Sequence, residues 1–289
     1  MIHLEGMGML GALAARRLAA AGYRFTWSDV DDHYAAWHAC TGIAYPSGSS
    51  ADITALGRWY RLADSFPEAQ RVPYLYAHKN PPHGGTYKVA ADYGHVRRAG
   101  PHAVALNVPA FVTNTRERFA DARADGPGAD DLRVVCHTTA QRGDGFLWGW
   151  AARVRISAAW LDRIETAPAL YARAHRFNLT YAYPIPGTGW HWAGSTLQYQ
   201  RTPKQVDRQR LGRHLAEWTA NAARLLKVDV VDTEAPVQGW RPRAHKTDPG
   251  GIISQSGSIV LPPMATDGMR RGPLVVDELL QHLHAEKAA

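Results

Sequence analysis

Three glycines stand where a chain could wrap a phosphate. The opening residues Met1-Ile2-His3-Leu4-Glu5-Gly6-Met7-Gly8-Met9-Leu10-Gly11 place a G-x-G-x-x-G after one short strand-like run. In such a turn the first glycine permits a tight bend and the second lets backbone amides approach a pyrophosphate. The third lets the next helix pack close to the strand. That helix aims its unpaired N–H groups, and the positive end of its dipole, at the anion. Asp29 follows Gly6 by 23 residues. This is close to the spacing of a carboxylate that accepts hydrogen bonds from a ribose, and by itself it fits NAD as well as FAD.

The elements around these residues support the motif. Ala12 to Ala21 is rich in Ala, Leu and Arg and reads as a helix, Gly22 as its stop, and Tyr23 to Trp27 as a second strand. Further along, helices are expected at 52–63, 111–120, 158–164, 205–226 and 272–284. Strands are expected at 86–89, 103–108, 132–136, 145–150, 176–183, 190–200 and 258–261. Helices and strands mix throughout, which predicts an α/β protein with a mainly antiparallel insert.

Composition limits the function classes. The 289 residues are 45% hydrophobic and 20% charged, as in an ordinary globular enzyme. There is no membrane-length apolar run, and a strand beginning at residue 2 leaves no room for a leader, so a cytoplasmic location is expected. Cys40 and Cys136 are too few for a disulfide framework or a zinc site. The fourteen His show no metal-binding spacing, and no Ser/His/Asp or paired-carboxylate signature stands out. Net charge is +7, with 27 Arg against six Lys. Such a balance fits an anionic partner, DNA included, and equally a GC-rich coding bias.

Three separated segments resemble the glycine oxidase and D-amino-acid oxidase type of FAD-dependent oxidoreductases. The first is the Gly6 to Gly11 unit with Asp29. The second is Trp192-Ala193-Gly194-Ser195-Thr196-Leu197, running toward the 205–226 helix. The third is Gly239-Trp240-Arg241-Pro242-Arg243, similar to the family's G-x-R-P. After it come a glycine-containing turn at 248–251 and the closing stretch Ala265 to Leu274. Their order spans nearly the whole chain. The departures are a short chain, an unfamiliar region between about 60 and 150, and Asp267 in the last turn.

The resemblance implies a Rossmann-type FAD-binding domain interleaved with a mainly antiparallel β-sheet substrate domain. The first would take 1–60, 107–152 and 236–289, the second 61–106 and 153–235. FAD contacts would come from Gly6, Gly8, Met9, Leu10, Gly11, Asp29, Thr41, Gly42, Gly268, Met269, Arg270 and Gly272. Arg241 would clamp a substrate carboxylate, a two-pronged grip that a planar guanidinium supplies. Tyr181 and Tyr183 would come from the strand that provides a pocket tyrosine, although strand tyrosines more often pack. Trp190 and Trp192 share a strand face and read as a core pair. No metal is implied.

The implied activity is oxidation of an amine or amino acid by hydride transfer to flavin, followed by imine hydrolysis. Phage-encoded relatives of glycine oxidase suggest a sharper substrate, a glycyl-modified thymidine in DNA that would be left as an aminomethyl base. Three alternatives share the same residues. They are a flavin dehydrogenase that does not use oxygen, an NAD-dependent enzyme, and a nucleic-acid-binding protein that kept a Rossmann scaffold.

Overall fold

A computed structural model describes residues 1–29, 36–45, 50–77, 86–88, 96–99, 102–136, 143–163, 166–175, 178–196, 198–200, 206–244, 251–255, 257–262 and 268–288. The chain opens with β1 (Ile2–Glu5), α1 (Met9–Ala20) and β2 (Phe25–Ser28). A 3-10 turn (Ala36–Ala39), β3 (Ile43–Ala44) and α2 (Ser50–Ala63) follow. Next come β4 (Ala69–Val72), β5 (Tyr74–Ala77), β6 (Thr86–Lys88), β7 (Val96–Ala99) and β8 (Ala103–Leu106). Then α3 (Val108–Arg118) leads to β9 (Leu132–Val135) and the long β10 (Gly143–Ser157). β11 (Ala169–His175), β12 (Asn178–Pro184), β13 (His191–Thr196) and β14 (Gln198–Gln200) precede α4 (Arg208–Asn221), which runs into a π-turn at Ala222–Leu226. The last elements are β15 (Asp229–Thr233), β16 (Val237–Ala244), β17 (Ile253–Gln255), β18 (Ser258–Val260) and α5 (Gly268–Ala288).

These elements form three sheets. The first has the order β17-β18-β9-β1-β2, parallel except for β17 at its edge. Its strands alternate in character. Ile2, Leu4, Phe25, Trp27, Val134 and Ile259 join one core with Leu10, Leu13 and Leu18 of α1, Phe111 of α3 and Val276 of α5. In β1 and β2 the intervening residues His3, Thr26 and Ser28 are polar. His3 is fully buried, with Nδ1 2.8 Å from Thr26 Oγ1 and Nε2 2.9 Å from Ser28 Oγ. Beside it Arg133 forks onto Glu5 at 2.7 and 3.0 Å. Parallel strands are usually apolar on both sides, and here hydrogen bonding compensates the polar side.

The helices around this sheet are tied by buried polar contacts. Arg16 of α1 donates to both Glu68 oxygens, at 2.8 and 3.2 Å, and to Thr115 Oγ1 at 2.7 Å. Asn114 adds a donor to Glu68 at 2.8 Å, and the Arg16 guanidinium lies over Phe111. Burial alone would raise the Glu68 pKa, but the Arg16 and Asn114 hydrogen bonds outweigh it and hold the carboxyl below its usual range. In α5, Pro273 has no N–H to give the Met269 carbonyl one turn earlier. The buried Trp59 indole of α2 donates to that carbonyl instead, so the proline leaves no orphan acceptor.

The second sheet has ten strands in the order β14-β10-β13-β12-β11-β5-β7-β6, with β15 and β16 also on β10. All its pairs are antiparallel except β11 with β5. One face packs Trp148, Trp150, Ala152, Val154 and Leu170 against Leu211 and Trp218 of α4. The other packs Tyr74, Tyr181 and Tyr183 against Ile43, Val72, Ala103 and Ala105 of the small third sheet, β3-β8-β4. No helix of the described residues is long and apolar enough to cross a membrane.

Several expectations need correction. Only a 3-10 turn, Leu161–Arg163, stands where a helix was expected at 158–164. The strand expected at 145–150 runs on to Ser157, because Ala151 to Ile156 continue its pairing with β13, β15 and β16. Trp160 then pins the chain by donating to the Lys227 carbonyl at 2.9 Å. At the end of α2, Leu62 and the following Phe66 lie in the first core.

His191 of β13 is a buried cost in the second sheet. It is 6% exposed, and neither ring nitrogen has a hydrogen-bond partner among the described residues. Burial lowers its pKa to about 4. Its folded pKa is depressed, so the unfolded chain binds the proton first. The stability it allows is full above its unfolded pKa of roughly 6.5 and falls as pH drops toward the folded value. Between pH 7 and pH 5 this should cost about 2 kcal/mol. Urea unfolding midpoints at the two pH values test this, and His191→Leu should shrink the difference by that amount. An undiminished difference would place the acid sensitivity elsewhere.

Candidate functional site

The first sheet positions a crevice. β1 lies between β2 and β9, so the chain leaves β1 for one neighbour and later returns to the other. Ligands of open α/β sheets bind beyond the carboxyl ends of the strands at such a reversal. The Gly6 to Gly11 loop leaves β1 at this point. Gly6 has φ 95°, and its N–H donates to the Ser28 carbonyl at 2.9 Å, tying the loop to the end of β2. The Cys136 N–H donates to the Glu5 carbonyl at 2.8 Å and closes the β9 side. Burial pushes the Cys136 thiol far above its ordinary range, so it stays protonated and inert.

The three glycines serve different masters. A Cβ on Gly11 would stand 2.0 Å from the Gly6 carbonyl oxygen, so the fold itself requires that glycine. At Gly8 a Cβ would meet, among the described residues, only the Trp37 ring, with Cδ1 at 3.6 Å, an ordinary contact. The backbone there is extended, with φ −76°. Among the described residues neither packing nor conformation demands glycine at position 8, whereas a phosphate seated against the backbone would. The α1 N-terminus has no side-chain cap, and Met9 and Leu10 provide its first turn. These features fit a pyrophosphate.

Asp29 lies just past β2, with its side chain 12% exposed, and is paired with Arg116 of α3. The Arg116 Nε also donates to the Met7 carbonyl at 3.2 Å. Nothing in the sequence marks this residue, which is one arginine among 27 and lies 87 positions from Asp29.

The other expected cofactor residues divide. Thr41 is buried, and Gly42 has a structural reason of its own: with φ 53°, its Cβ would meet the Leu106 carbonyl oxygen at 1.9 Å. Gly268 opens α5, and the Met269 carbonyl is taken by Trp59. Gly272 faces α1, with Met9 Cε and Leu13 Cδ2 each 3.5 Å from its would-be Cβ. The first turns of α5 therefore sit beside the start of α1. The side chains of Arg270, Ser195 and Arg241, the turn 248–250 and Asp267 lie outside the described residues.

Arg241 falls in β16, opposite Leu147 of β10. The preceding Gly239 is explained by packing, since its Cβ would stand 2.9 Å from that of Ala39. Tyr183 pairs with Trp192, which pairs with Arg153 of β10. Tyr183 is therefore six rows along and three strands across from Arg241, about 20 Å along the strand direction alone. The register does not bring the arginine and the tyrosines together.

Tyr181 and Tyr183 stack on one another, with centroids 4.4 Å apart and rings 3° from parallel. Burial, then the neighbouring Tyr74, Tyr45, Tyr181 and Tyr171, raise the Tyr183 phenol well above its usual value, so it is protonated at neutral pH. Trp192 is buried with Ala39, Ala151 and Ile185, and Trp190 packs against that cluster. Among the described residues no group of three His, Cys, Asp or Glu side chains could hold a metal ion.

No protein-family model matches the sequence, nor does any curated protein. Solved structures do. Glycine oxidase from Bacillus cereus ATCC 14579 matches with a TM-score of 0.71 at 14% identity, over 99% of this chain and 95% of that one. Iminodiacetate oxidase from Chelativorans sp. BNC1 gives 0.71 at 13% identity, over 99% and 95%. L-alpha-glycerophosphate oxidase from Mycoplasma pneumoniae, with FAD bound, gives 0.67 at 12% identity, over 98% and 94%. The similarity covers both the sheet that carries the glycine loop and the ten-stranded sheet. The chain therefore has the fold of the glycine oxidase-like FAD-dependent oxidoreductases.

Proposed function

We propose that the protein binds FAD at the β1/β9 crevice and oxidises the C–N bond of an amine or amino acid that carries a carboxylate. The observation that carries this reading is Gly8, a glycine the fold does not need, set at an uncapped helix start in a chain with the glycine oxidase fold over its whole length. The α1 N-terminus and the loop amides would hold the pyrophosphate, and Asp29 the adenosine ribose. The bound flavin supplies the hydride acceptor. What the protein must do is bind the amine neutral, hold its α-carbon against that acceptor and exclude other geometries. Arg241 is the proposed carboxylate clamp. The tyrosine stack of β12 welds the second and third sheets, which is a supporting role.

The net charge of +7, together with the exposed Arg208 and Arg213 of α4, supports a substrate amine borne on DNA, namely glycyl-modified thymidine. Two free cysteines fit a reducing compartment such as the cytoplasm. The test is a visible spectrum of the purified protein, then anaerobic bleaching by glycine, sarcosine, D-amino acids and glycyl-modified DNA. Flavin absorption that bleaches with one of these is the expected result. Peroxide on aerobic turnover distinguishes an oxidase from a dehydrogenase. A colourless protein that gains no flavin on adding FAD would sink the proposal.

A further inference from the structure

Four separate segments meet at one guanidinium beside the glycine loop. Arg116 pairs through Nη2 with Asp29 Oδ2 and donates through Nε to the Met7 carbonyl at 3.2 Å. Its Cζ lies 5.1 Å from the centre of the Trp37 ring. Trp37 in turn lies beside Gly8, its Cδ1 3.6 Å from where a Cβ on that glycine would stand. The glycine loop, the end of β2, the 3-10 turn and the last turn of α3 are thus joined. The Arg116 and Asp29 side chains are 21% and 12% exposed, so water screens the pair only in part.

We infer that Arg116 is the positioning residue for the adenosine end of the bound dinucleotide, presenting the Asp29 carboxylate to the ribose and holding the glycine loop to the same point. This rests on the dinucleotide reading above. An opposite charge in contact favours the ionised carboxylate, the form that accepts hydrogen bonds from ribose hydroxyls. The same guanidinium offsets the repulsion between Asp29 and a diphosphate arriving at the loop. A rigid planar fork reaches the Met7 carbonyl and the carboxylate together, which the single ammonium of Lys does not.

The test measures ADP and FAD binding to the full chain by calorimetry, with ADP reporting on the adenosine end without the flavin. Arg116→Gln should weaken ADP binding about tenfold or more, the effect of losing a hydrogen bond to a charged group. Asp29→Asn should do the same, and the double variant should bind no worse than the weaker single one. Arg116→Lys should recover little.

Unchanged ADP affinity in Arg116→Gln, or losses that multiply in the double variant, would overturn the inference. So would full recovery of ADP affinity in Arg116→Lys, which is what a brace needing only the charge would give. If Arg116→Gln does not fold, Arg116→Lys keeps the charge and carries the same test. A wild type that binds neither ADP nor FAD overturns the dinucleotide reading along with this one. Wild-type binding that Arg116→Gln retains in full overturns this one alone.

Discussion

Gly11→Ala is expected to destabilise the protein by about 3 kcal/mol, at the upper end of what overpacking costs. The added methyl would stand 2.0 Å from the Gly6 oxygen, 3.0 Å from the Gly6 carbonyl carbon and 3.4 Å from Cys136 Cβ. The main obstacle is backbone, and Gly6 is already bent to φ 95° and hydrogen-bonded to Ser28. Relief must come from lifting α1 off the sheet. That helix buries Leu10, Leu13 and Leu18 in the first core, so any lift exposes apolar surface. Urea unfolding followed by far-UV circular dichroism reads the effect. A midpoint equal to the wild type's would mean that α1 does not approach the loop as described.

Gly8→Ala, three residues earlier in the same motif, should behave in the opposite way. Its φ of −76° suits any residue, and the methyl would rest 3.6 Å from Trp37 Cδ1. Gly8 is the N-cap of α1, where alanine is the poorer residue, so a change within about 1 kcal/mol is expected. FAD affinity should fall about 100-fold, or roughly 2.7 kcal/mol, because the methyl occupies the surface that a pyrophosphate would touch. The expected product is folded and colourless. Gly8→Ala protein that retains FAD with wild-type affinity would show that no phosphate seats on this loop. Together the two variants separate what the glycines do for the fold from what they do for a ligand.

Much of this was legible in the chain because it is local. A strand, a G-x-G-x-x-G turn, an Ala- and Leu-rich helix and a second strand lie within the first 28 residues, and each follows from turn chemistry and helix propensity. The G-x-R-P stretch was visible in the same way and lies in β16. The short strands β4, β5 and β7 were not legible, since runs of four residues gain their stability from the neighbours they pair with. The helix expected at 158–164 failed for a related reason. There the β10 ladder and the Trp160 anchor outweigh local preference.

Contacts across long separations made the remaining decisions. Trp59 completes the α5 backbone at Met269, 210 positions away, and only the packing of α2 on α5 brings them together. The tyrosines of β12 carried no sign of what they faced, and only the packing of β12 against the small sheet places them in the cluster between the two. By itself the sequence determined the strand, glycine turn, helix and second strand that open the chain, because glycine conformations and strand–turn–helix spacing are properties of consecutive residues. Only the tertiary structure decided that a Cβ at Gly11 would collide with the Gly6 carbonyl while one at Gly8 would make an ordinary contact with Trp37, and that Arg116 stands over both Asp29 and the loop. Close approach and charge pairing depend on where distant segments come to rest, and no local rule encodes that.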